Sequence, residues 1–140
     1  MQVKFLSSAL AALAIVATTA LADTTSYKAD LKGAQEVPPV SGGGTGSADL
    51  TYDTSTKKLT WKVTFSGLTG PATAAHFHGP AEVGKNAGVA VAIPGTSSPL
   101  EGSATLTDAQ AADLAAGKWY VNIHTAANKG GEVRGQVVKK

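Results

Sequence analysis

Lys58-Leu59-Thr60-Trp61-Lys62-Val63-Thr64-Phe65 alternates apolar and polar residues without a break. Successive side chains of a β-strand point to opposite faces, so Leu59, Trp61, Val63 and Phe65 line one face and Thr60, Lys62 and Thr64 the other. One buried face and one wet face follow, as in a half-buried antiparallel strand. The same period recurs in Tyr27, Ala29 and Leu31, in Ala48, Leu50 and Tyr52, and in Val89, Val91 and Ile93. Between the first two runs, Pro38-Pro39 and Gly42-Gly43-Gly44 mark residues 33–46 as an irregular loop. Short strands punctuated by glycine predict an all-β sandwich or barrel. One short helix is expected over residues 108–116, with Thr107 as N-cap, Gln110 closing a capping box and Gly117 as its stop.

The first 22 residues have a cationic start, an apolar run over residues 5–17 and a small-residue exit, Ala20-Leu21-Ala22. They match a secretory signal peptide, which leaves residues 23–140 as one domain, secreted or periplasmic, with no membrane span after cleavage. That domain holds 11 Lys and Arg against 10 Asp and Glu, with no basic patch to suit a nucleic-acid partner. Cysteine is absent, so disulfides, thiolate ligands and a cysteine nucleophile are excluded. No phosphate-binding glycine loop leads into a helix, no Gly-x-Ser-x-Gly elbow occurs, and the carboxylates are not spaced for glycoside hydrolysis.

Residues 118–125 and 131–138 read as a β-hairpin with a five-residue loop. Its register follows from the apolar pattern, because Ile123 must share a face with Val133 and Val121 with the small Gly135. That pairing puts Asn122 opposite Arg134 and His124 opposite Glu132.

The three histidines are the candidate chemistry. In Ala74-Ala75-His76-Phe77-His78-Gly79-Pro80, strand alternation aims His76 and His78 one way and Phe77 the other. His124 lies on the polar face of the hairpin, so if the two strands are neighbours all three imidazoles converge. Three imidazoles with a vacant fourth position suit copper or zinc. Glu132 is expected either to accept the remaining ring hydrogen of His124 or to serve as fourth ligand, and also to form a structural ion pair with Arg134. The competing reading is structural: His76 at a strand end, His78 exposed before a turn, and His124 the partner of Glu132. Glu36, beside the prolines, is either solvated or carried by its loop over the histidine face. Three histidines define a site and not a reaction, so no catalytic residue is assigned.

Residues 31–40 (Leu-Lys-Gly-Ala-Gln-Glu-Val-Pro-Pro-Val), Gly67-Leu68 and residues 74–80, 117–125 and 130–135 resemble the CHRD domain, the module named after chordin and also found in secreted bacterial proteins. The resemblance implies an immunoglobulin-like β-barrel of the kind seen in copper/zinc superoxide dismutases. Residues 74–79 are similar to the dismutase strand bearing two copper-ligating histidines, which implies ligand roles for His76 and His78; His124 is added from spacing. The chain departs from the dismutases in lacking a bridging histidine, a zinc-binding loop and a disulfide. The functional expectation is a secreted CHRD-domain binding module with a copper or zinc site. An extracellular protein-interaction or structural module without metal is the alternative, and a dismutase-like redox enzyme stands third.

Overall fold

Alternation builds almost every strand. The computed structural model describes residues 12–19 and 23–140, and the signal peptide expected over residues 1–22 falls largely outside the described residues. The strands are β1 (Thr24–Lys32), β2 (Thr45–Asp53), β3 (Lys58–Ser66), β4 (Ala72–His78), β5 (Val89–Ile93), β6 (Leu100–Thr105), β7 (Tyr120–Thr125), β8 (Val133–Gln136) and β9 (Val138–Lys139). Helix α1 (Asp108–Ala115) lies between β6 and β7. All pairings are antiparallel. The order is β5-β4-β7-β8-β1-β2-β3-β6, with β9 also paired to β1. The end strands β5 and β6 approach each other, so the sheet nearly closes into a barrel. The expected all-β architecture with one short helix is what forms.

The barrel interior collects the inward residues of each strand. Register sets Tyr52 against Leu59, Leu50 against Trp61 and Ala48 against Val63, so apolar faces meet across β2 and β3. Trp61 meets Phe77 edge-on, with ring centroids 5.3 Å apart, and Trp119 packs 5.9 Å beyond Phe77. Each such side chain contributes about 1.5–3 kcal/mol by leaving water. Phe65, expected on the buried face, is only half-buried near the end of β3.

β6 is the strand that periodicity does not announce. Leu-Glu-Gly-Ser-Ala-Thr has little apolar alternation because the indole of Trp61 needs the space: Gly102 pairs with Trp61, and a Cβ on Gly102 would lie 2.8 Å from its ring. The helix follows expectation, with Thr107 Oγ1 accepting from the Gln110 N–H (3.1 Å) and Gln110 Oε1 accepting from the Thr107 N–H (2.9 Å). Gln110 also donates to the Ala90 carbonyl, which ties the helix to β5.

The hairpin register is the expected one, with Ile123 against Val133, Asn122 against Arg134 and Val121 against Gly135. What differs is exposure. The face of β7 that alternation marks as polar is largely buried as well: Tyr120 and Asn122 are 3% and 2% exposed. The loops that cover this face hydrogen-bond to its side chains, as Tyr120 and Arg134 do with residues 85–87.

β8 carries a glycine where it crosses β1. A Cβ on Gly135 would sit 2.2 Å from the Asp30 carbonyl oxygen and 2.7 Å from its carbon, and backbone cannot yield as a side chain can. Gly135→Ala is expected to lower unfolding free energy by about 2–3 kcal/mol in urea titration. Gly43→Ala, with nothing within 4 Å of its Cβ, should change it by less than about 0.5 kcal/mol.

Candidate metal centre

β4 and β7 are neighbours, and their register places Ala74 opposite His124, His76 opposite Asn122 and His78 opposite Tyr120. All of these share the outer face, while Phe77, Val121 and Ile123 fill the interior. The three histidines therefore come together as the strand faces imply. His76 Nδ1 and His124 Nε2 are 3.0 Å apart, and one nitrogen from each of the three rings lies within 4.8 Å of the others. Two nitrogens on one zinc or copper ion, bonded at about 2.0–2.1 Å, stand about 3–4 Å apart. The His76–His124 pair meets that spacing, and His78 is the looser member.

Backbone carbonyls orient two of the rings. His124 Nδ1 donates to the Lys129 carbonyl at 2.8 Å and His78 Nδ1 to the Ala87 carbonyl at 3.0 Å. Each such bond leaves Nε2 as the lone-pair atom, the way a protein fixes the tautomer of a ligating histidine. His78 also stacks on Tyr120 (4.7 Å between centroids, 7° between planes), while the Arg134 guanidinium carbon lies 3.5 Å from the centroid of the same tyrosine ring. Burial, then the nearby His124 and His78, push the His76 imidazole below its ordinary pKa. Burial also pushes His78 down, against hydrogen bonds to Ala87 and Asn122 that favour its charged form. Neutral rings are the ligand form.

Glu132 is not the hydrogen-bond partner of His124, and it lies outside the group that the three histidines form. Its carboxylate accepts from the Thr69 N–H (2.9 Å), the Thr69 hydroxyl, the Thr125 hydroxyl (2.9 Å) and the Asn128 amide (2.8 Å). β8 begins only at Val133, which pairs with Ile123, and Glu132 just before it donates its N–H to the Ile123 carbonyl at 2.7 Å rather than pairing with His124. Outside the ladder, its side chain meets Thr125 rather than His124. Burial raises the Glu132 pKa, but its donors outweigh that and hold it below the usual carboxylate range. The expected Glu132–Arg134 ion pair does not form either. Arg134 instead donates to Asn86 Oδ1 (2.8 Å) and the Lys85 carbonyl, clamping the covering loop.

Glu36 is not solvated. Its loop closes over the outer face, where the residue is 5% exposed and Oε1 has no hydrogen-bond partner. Burial pushes its pKa from 4.5 to about 7, although Asn122, Arg134 and the Val37 N–H all favour the ionised form. Asn122, whose amide favours the ionised form of Glu36, lies on the same face as the histidines. It is 2% exposed, its Oδ1 lies 3.0 Å from His78 Nε2, and its Nδ2 donates to the Gly130 carbonyl at 3.2 Å. Alternation places Asn122 on the His124 face, but a neutral amide carries no signal of chemistry in a sequence.

These features define a nearly closed antiparallel barrel with a histidine cluster on its covered outer face. A family profile described as the CHRD domain matches residues 27–137, and the chain belongs to that family. No curated protein and no solved structure matches it.

Glu36 sets a pH dependence. With a folded pKa of about 7 against 4.5, the native state keeps a proton that the unfolded chain releases, so stability falls as pH rises through that window and levels off above it. Ionising the buried carboxyl costs on the order of 3 kcal/mol. Glu36→Gln should therefore raise the urea midpoint over wild type at about pH 8, with the gap closing toward about pH 4.5. A gap independent of pH would contradict the assignment.

Proposed function

We propose that this is an exported CHRD-domain binding module that captures a copper or zinc ion through His76, His78 and His124. The observation that carries the reading is the 3.0 Å approach of His76 Nδ1 to His124 Nε2, with the other nitrogen of His124 already committed to the Lys129 carbonyl. The partly exposed edges of His76 and His124 give an ion access, and burial keeps His76 and His78 in the neutral form that binds metal. Export rests on the cationic start and apolar run of residues 1–22.

A second reading, an extracellular interaction module without metal, draws on His78, whose ring is stacked on Tyr120 and bonded to the Ala87 carbonyl. Metal titration separates the two. Equilibrium dialysis with metal analysis should find one equivalent of zinc or copper on the wild type and none on His76→Ala or His124→Ala. At a free metal concentration of 100 times Kd, native-state stability should rise by about 2.7 kcal/mol. Equal uptake by wild type and both variants, with an unmoved thermal midpoint, would establish the metal-free reading.

A further inference from the structure

His78 is bracketed by two acceptors. Nδ1 lies 3.0 Å from the Ala87 carbonyl oxygen and Nε2 lies 3.0 Å from Asn122 Oδ1. A neutral imidazole has one N–H to give, and both of these atoms are acceptors, although the Ala87 carbonyl also takes the Tyr120 hydroxyl at 3.2 Å. With the proton on Nδ1, the Nε2 lone pair faces the lone pairs of an amide oxygen.

The amide cannot relieve this by turning over. Its Nδ2 donates to the Gly130 carbonyl, and both Nδ2 and Glu36 Oε1 crowd Gly131, at 2.4 and 2.3 Å from where a Cβ would stand. Reversal would press Oδ1 against the Gly130 carbonyl oxygen. Water does not reach the pair freely, since Asn122 is 2% exposed.

A cation shared by the two atoms resolves the conflict, because donors bonded to one ion at about 2.0–2.2 Å lie about 3 Å apart. Register supports the sharing, for Asn122 sits directly opposite His76 and two residues from His124 on the same face. We propose that Asn122 Oδ1 is the fourth ligand, completing a three-nitrogen, one-oxygen site, with the Gly130 carbonyl holding the amide in the orientation that presents its oxygen. An amide oxygen is a hard donor, so the site selects zinc or copper(II) over copper(I), which prefers sulfur and low coordination. This inference rests on the metal reading above and adds to it a ligand and an oxidation state.

Cobalt(II) is the probe, with zinc competing for the site, on the wild type, Asn122→Leu and Asn122→Asp. Asn122→Leu keeps the volume without the oxygen, and its zinc affinity should fall at least about tenfold. Its cobalt d–d bands should move from the wild-type position, and Asn122→Asp should restore binding with bands displaced by the carboxylate. Equal zinc affinity in Asn122→Leu, or weaker binding with an unchanged cobalt spectrum, overturns the ligand role. The three-histidine reading survives that result if His76→Ala still abolishes uptake. Should Asn122→Leu fail to fold, Asn122→Asp decides: displaced bands support the assignment and coincident bands overturn it. A wild type that takes up no metal removes both readings.

Discussion

The antiparallel pairing of β4 with β7 controls both sides of the barrel wall at once. With Phe77 opposite Val121 and Ala75 opposite Ile123, the interior receives its apolar residues; the same register puts His76 opposite Asn122 and brings His124 and His78 in diagonally. A slip of one residue would send Phe77 outward and the imidazoles into the core, so burial of Phe77, Val121 and Ile123 fixes the histidine cluster by the same energy that fixes the fold. The site thus needs no dedicated scaffold. Its precision is borrowed from core packing, in which Phe77 contacts both Trp61 and Trp119.

A second, polar layer lies outside this wall. Tyr120, Asn122 and Arg134 are buried beneath the loop around residues 85–87 and the loop that carries Glu36. The two loops also bind each other, through Asn86 Nδ2 and the Val37 carbonyl. Arg134 spends its charge on Asn86, on the Lys85 carbonyl and on the face of Tyr120. Glu36 is the opposite case, a carboxyl held where its ionised form is disfavoured, and the unpaired oxygen beside Asn122 is the cost. Glu132 contributes in the ordinary way, its donors binding the loop after β3 to the hairpin.

Much of this was legible in the chain because two periods are simple. Alternation in residues 58–65 announces a strand, and pairing Ile123 with Val133 yields the correct hairpin register. Convergence of the histidines needed one further fact, the adjacency of β4 and β7, which alternation allows but does not impose. β6 was silent because its glycine answers to a tryptophan on another strand. Glu132 misled because β8 starts one residue later, at Val133, so alternation does not set its facing. Loop closure over a sheet leaves no periodic trace, so the sequence left Glu36 open between water and a place over the histidine face, and it gave no sign that Asn122 is buried, since polar residues usually mark water.

The central claim is that the three imidazoles surround one ion. Crystals of the mature domain grown with one equivalent of zinc, measured on both sides of the zinc absorption edge, test it most directly. The account predicts an anomalous difference peak about 2.0–2.1 Å from each of His76 Nδ1, His124 Nε2 and His78 Nε2. A map without a peak between them, or with zinc bound only elsewhere on the surface, would contradict it.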